Sequence, residues 1–204
     1  MSGRMNDIFG FEGGFTRICS KIFDLMILSI LWVICCIPLL TIGDATAALY
    51  YAVVKSVKED NGYAVKEFFR SFKRNFKSAV IIWLILAAFF AAAQMKAFIV
   101  MEMMDNFAGM LLTGGCLVVS TYAALMALYA FPALSRFDMP VFWILKISVF
   151  MSVRYFLTSI ALVMVLFCFG VLVLRVPLLI IIIPGVIAFV MAEFLERILK
   201  KHEP

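Results

Sequence analysis

Two charges sit deep in apolar sequence, Asp44 and Arg154, and a charge inside a membrane span is a functional candidate by default. Asp44 follows Gly43 and precedes Ala45 to Leu49, a good helical start. An aspartate there can cap a helix by accepting a backbone N–H of its first turn. Pro38, just upstream, ends or kinks the preceding helix. Pro38, Gly43 and Asp44 are therefore read as a turn and cap. Arg154 lies between Phe150 and Tyr155 inside Ile147–Leu174, a stretch of 28 residues, longer than one crossing requires. Either it sits at the membrane interface with its stem snorkelling, or it is a buried partner for Asp44 or Glu193. Glu193 and Arg197 stand at i,i+4 spacing, suited to a local ion pair.

No further chemistry is on offer. The single histidine, His202, lies in the polar tail. The five cysteines are Cys19, Cys35, Cys36, Cys116 and Cys168; their odd number and apolar settings do not form a disulfide framework, and no spacing suits a metal. There is no glycine-rich phosphate loop, no nucleophile elbow and no pair of acids within a span. Acid–base or metal-assisted catalysis lacks its residues. The expectation is a non-enzymatic chain with no cofactor and no metal.

The elements that must hold these residues follow from composition. Apolar residues make up 65% of the chain and charged residues 15%, against roughly 45–50% and about 25% in soluble domains. One core cannot hide that much apolar surface, so the bilayer is the solvent and the chain is a single all-α domain, 1–204. The apolar runs are Leu25–Ile42, Ala79–Ala93, Phe107–Phe131, one within Ile147–Leu174, and Val176–Ala192. They are too long and too little alternating for barrel strands. Pro184-Gly185 interrupts the last run near its middle, which predicts a kink there. Ala45-Thr46-Ala47 looks like a signal-peptidase site, but the run before it is 18 residues, where a secretory core has about 7–15. It is expected to stay as a membrane helix.

Charge decides between two topologies. With five spans, Lys and Arg divide 5 against 13; if Asp44–Lys58 also crosses, they divide 16 against 2. The positive-inside rule favours six helices, the second one short, with both termini cytoplasmic. The alternative is five spans plus a re-entrant or interfacial helix. The net charge of +5 belongs to cytoplasmic loops and does not point to nucleic acid.

Two helix faces stand out. In an amphipathic helix over about 63–78, Phe68, Phe69, Phe72 and Phe76 share one face, while Lys66, Arg70, Lys73, Arg74 and Lys77 gather on another. Such a helix suits anionic headgroups, as a juxtamembrane anchor, or a cytoplasmic partner. Gly109, Thr113, Cys116, Ser120, Ala123 and Ala127 form a small-residue face in the third run, which allows close helix packing in a membrane.

The stretch Leu31 to Ala79 resembles the YesL-like family of bacterial integral membrane proteins, a domain of unknown function. The resemblance rests on Pro38, on Thr41-Ile42-Gly43, on Ala47-Ala48-Leu49 with the paired Tyr50 and Tyr51, and on Phe68-Phe69, Phe72 and Phe76 among basic residues. Where the family often has proline after the glycine, this chain has Asp44. The resemblance implies a multi-pass protein of the bacterial cell membrane, accessory to sugar or oligosaccharide uptake or its sensing. Its implied partners are the lipid bilayer and carbohydrate transporter subunits or a membrane sensor. It brings no catalytic residues. The alternatives are a small transporter or channel in its own right, and a structural membrane protein.

Overall fold

The computed structural model describes residues 3–60, 63–101, 107–137 and 139–199, and every described element is helical. The first helix, α1, runs Gly3–Cys35. It ends before Pro38, and a single 3-10 turn, Leu39–Thr41, leads into α2, Ile42–Ala52. The Thr41 hydroxyl donates to the Cys35 and Pro38 carbonyls, tying down groups that the end of α1 leaves open. The second helix widens into a π turn, Val53–Lys58. Asp60 then takes a left-handed conformation, φ 51°, and pairs with Lys21 of α1 at 2.9 Å.

The remaining helices are α3, Ala64–Met101; α4, Phe107–Arg136; α5, Val141–Arg154; α6, Phe156–Arg175; and α7, Ile183–Leu199. Among the described residues, four helices are long and apolar enough to cross a membrane, over Ile18–Cys35, Ala64–Gln94, Leu111–Arg136 and Phe156–Arg175. The basic segment at 63–78 is not a separate helix. It forms the opening turns of α3, whose 38 residues extend about 57 Å at 1.5 Å per residue, well beyond the hydrocarbon thickness.

The short α2 is the hub of the fold. Eight of its eleven residues are buried, and they lie on all sides of the helix. It contributes Tyr50 to a core cluster with Tyr129, Leu162 and Leu195. Leu49 joins a second cluster with Leu28 and Phe68, and Ala47 a third with Ile82 and Leu134. Its small residues, Gly43, Ala45, Ala47, Ala48 and Ala52, let neighbouring helices come close. Gly43 is the tightest point: a Cβ there would stand 2.7 Å from the Phe131 ring and 2.9 Å from Trp83 Cβ.

The expected cap and kink are corrected here. Helix α2 starts at Ile42, so Asp44 sits inside its first turn and Thr41 holds the cap position. The chain reaches that geometry because the 3-10 turn delivers Thr41, not Asp44, to the helix start. Likewise Pro184 does not kink the middle of a span. The chain breaks over Pro177–Ile181, and Pro184 is the second residue of α7, where its missing N–H costs nothing. Ser29 of α1 closes this end: its hydroxyl accepts from the Gly185 N–H at 2.8 Å and donates to the Leu25 carbonyl at 2.8 Å. Gly185 must be glycine for that approach, since a Cβ would lie 2.6 Å from the Leu25 carbonyl oxygen.

The apolar run Ile147–Leu174 is not one helix. Tyr155, at φ −109° and ψ 45°, separates α5 from α6. Helix α5 buries Ile144, Ser148, Met151 and Ser152 and exposes Phe142, Trp143, Phe150 and Val153. That is the pattern of a helix lying at an interface. Helix α6 buries only Ser159 and Leu162, so most of its surface faces outward.

Candidate functional site

Polar side chains converge beside the end of α2, where it meets the last turn of α4 and the later turns of α7. Tyr50 and Tyr51 are neighbours on α2 and therefore point about 100° apart. Tyr50 is buried and Tyr51 half-buried. With Lys55, Glu59, Arg74, Arg136 and Glu196 they line a polar pocket of about 260 Å³.

Glu196 organises the pocket. Its carboxylate is 3% exposed, and Arg136 Nη1 donates to both of its oxygens. The Tyr50 hydroxyl donates to Oε1 at 3.3 Å. A buried carboxylate needs such partners, because its desolvation is otherwise uncompensated. Arg74 Nη2 donates to the Ser135 carbonyl at 3.0 Å, satisfying a group that the end of α4 leaves open. The same guanidinium lies 5.3 Å over the Tyr51 ring, a cation–π distance. Lys55 and Glu59 pair at 3.0 Å on the rim. Lys58, just beyond, reaches Glu193 at 3.2 Å and the Ala192 carbonyl at 3.2 Å, joining the π turn to α7.

Tyr50 also lines a second, apolar cavity of about 480 Å³, enclosed by Trp32, Trp83, Phe131, Gly170 and Pro184 among others. A third, shallow groove of about 770 Å³ lies along α4 and α6 and shares Leu128, Leu166, Gly170 and Leu174 with it. Among the described residues, no three His, Cys, Asp or Glu side chains cluster as metal ligands would.

The residues singled out in the sequence separate. Lys66, Arg70, Lys73 and Lys77 are exposed along the start of α3 with Phe69 and Phe76. Phe68 is fully buried and Phe72 half-buried, their rings stacked 6.1 Å apart. They belong to the core and not to the surface, because this segment packs against α1 and α2. Arg74 is exposed as well, and it also lines the pocket.

Asp44 is fully buried, and neither carboxylate oxygen has a hydrogen-bond partner among the described residues. Arg154 ends α5 exposed, 5.6 Å over the Phe150 ring. It is not a buried partner of Asp44 or Glu193; the break at Tyr155 leaves it at the helix end. Glu193 pairs with Lys58, while Arg197 lies outside the described side chains. On α4, Ser120 and Ala123 are buried and Thr113, Cys116 and Ala127 half-buried; the surroundings of Gly109 lie outside the described residues.

Arg136, Ser135 and Glu196 were not among the sequence candidates. Arg136 and Glu196 stand 60 residues apart at two helix ends, where basic and acidic residues are ordinary.

The all-helical fold and its several membrane-capable helices define a multi-pass helical membrane protein. Residues 25–96 match the model of a protein family of unknown function, DUF624. The chain is 28% identical over 151 residues to the uncharacterized protein YesL of Bacillus subtilis (strain 168), covering 71% of this chain and 69% of that one. Both matches make the chain similar to YesL-like, DUF624 proteins. No solved structure matches.

Proposed function

We propose that this protein is a non-enzymatic accessory of the bacterial cell membrane, acting with a carbohydrate-uptake transporter or its sensor through its basic face. The observation that carries this reading is the row Lys66, Arg70, Lys73 and Lys77, exposed beside Phe69 and Phe76 on the opening turns of α3. Those turns extend past the apolar part of the helix, into the headgroup layer and water. The carbohydrate partner comes from the family resemblance. In this reading α2 and its π turn make the sixth crossing, and both termini are cytoplasmic. That places the basic row on the positive, cytoplasmic side.

The apolar cavity beside Tyr50 favours this reading over a sugar carrier. Its described lining is mostly apolar, with Thr46 and Tyr50 the hydroxyl side chains among the described residues, whereas sugar hydroxyls call for several hydrogen-bond partners. Extraction in mild detergent followed by quantitative mass spectrometry tests the proposal. Wild-type protein should carry transporter subunits with it, and the Arg70→Glu, Lys73→Glu double variant should lose them. Sugar flux through proteoliposomes holding this protein alone would replace the accessory reading with a carrier.

A further inference from the structure

Helix α5 stands between α4 and α6, which are both long and apolar enough to cross a membrane. Its own 14 residues extend about 21 Å at 1.5 Å per residue, short of the roughly 30 Å of hydrocarbon. It therefore joins two successive crossings while staying on one side of the bilayer. Arg74, in the opening turns of α3, bonds the Ser135 carbonyl at the end of α4. The start of α3 is thus on that same side. There Lys66, Arg70, Lys73 and Lys77 are exposed, and the positive-inside rule assigns such a side to the cytoplasm.

The two faces of α5 are reversed from those of a water-facing helix. Inward it buries Ser148 and Ser152 beside Ile144 and Met151, while Phe142, Trp143, Phe150 and Val153 point outward. So apolar an outer face suits acyl chains and not water. Two cations interrupt it. Lys146 Nζ lies 5.0 Å from the centre of the Trp143 ring, and the Arg154 guanidinium 5.6 Å from the centre of the Phe150 ring. Both side chains are exposed. Neither has an ion-pair partner among the described residues, and α5 holds no acidic residue. Each ring supports the charge laid over it, and the stem can run along the apolar face with its head toward water. The N–H donors of both cations remain for an acceptor. On a face turned to lipid, that acceptor is a phosphate.

We propose that α5 is a binding site for anionic phospholipids of the inner leaflet. Trp143 and Phe150 rest on the acyl chains, and Lys146 and Arg154 each hold a lipid phosphate. A zwitterionic headgroup brings its own ammonium to that phosphate, so two cations without an acid beside them select lipids of net negative charge. The site is made by α5 alone and is independent of any transporter partner.

Full-length protein is reconstituted in phosphatidylcholine bilayers, and chain-brominated phosphatidylglycerol or chain-brominated phosphatidylcholine is titrated in. Trp143 is 51% exposed and serves as the reporter. The quenching that remains in Trp143→Phe belongs to Trp32 and Trp83 and is subtracted. One cation near the surface strengthens the attraction of anionic lipid about fivefold. Brominated phosphatidylglycerol should therefore quench Trp143 at a mole fraction at least about fivefold lower than brominated phosphatidylcholine does. The Lys146→Gln, Arg154→Gln double variant should lose that preference. The Arg70→Gln, Lys73→Gln double variant, on the opening turns of α3, should keep it.

A second measurement needs no variant at the site: about 1 M salt should sharply reduce the preference of the wild type by screening. Equal quenching by the two lipids overturns the proposal, as does a preference that survives in the α5 double variant or in high salt. Loss of the preference in the α3 double variant alone would move the site to α3. Absence of quenching by either lipid would mean that protein, and not lipid, covers α5.

Discussion

Glu196→Ala removes the carboxylate that holds Arg136 and accepts from Tyr50. The Arg136 side chain is 18% exposed, so the variant takes the Glu196 carboxylate away from a largely buried guanidinium. Breaking a buried pair by deleting one partner costs about 3–5 kcal/mol, or roughly two to three and a half decades in the folding equilibrium at about 1.4 kcal/mol per decade. Removing the charge on both sides, as Arg136→Met with Glu196→Leu, should recover most of that loss, since an apolar pair of similar volume often matches a buried ion pair. Unfolding in mixed micelles with increasing denaturing detergent measures wild type, Glu196→Ala, the double variant and its two single variants, Arg136→Met and Glu196→Leu. The expected outcome is strong non-additivity, with the double variant closer to wild type than Glu196→Ala is. A loss under about 1 kcal/mol in Glu196→Ala, as for an exposed pair, would refute the reasoning. So would single-variant costs that simply add.

Gly43→Ala should destabilise by about 1–3 kcal/mol, because the new methyl group is driven into Phe131 and Trp83. Gly114→Ala, where a Cβ meets nothing within 4 Å, should be neutral or slightly stabilising; equal effects in a thermal melt would contradict the packing. Ser29→Ala should cost about 1 kcal/mol by leaving the Gly185 N–H without its acceptor, read by faster hydrogen exchange at the start of α7. Asp44→Ala should raise stability by about 1 kcal/mol or more, since its buried carboxylate has no hydrogen-bond partner among the described residues; a marked loss would show that Asp44 serves something outside the described contacts. In the six-crossing topology, a lone cysteine at Leu39, exposed by 74%, should react with an impermeant thiol reagent from outside and one at Tyr63 should not.

Composition and run length were enough to show that the chain is helical and bilayer-bound, because a stretch of apolar residues long enough to cross needs no partner to declare itself. The row of exposed lysines and arginines on α3 was legible for a similar reason: charge on a solvated face is a local property. Helix breaks were less so. Ile147–Leu174 reads as one apolar run, and only packing of the Tyr129 hydroxyl against Ser159, at 2.8 Å, and the Tyr155 carbonyl marks the break between α5 and α6. The proline at 184 was visible, but whether it kinks a helix or starts one depended on Ser29, 156 residues away from Gly185.

The pocket lay furthest from the sequence. Arg136 and Glu196 look like ordinary helix-end charges until α4 and α7 bring them together beside Tyr50. Periodicity assigns each helix an apolar face but does not say which faces meet, since lipid and protein interior are equally apolar. That choice was made by α2, whose small and wholly buried residues allow three core clusters to close around one short helix.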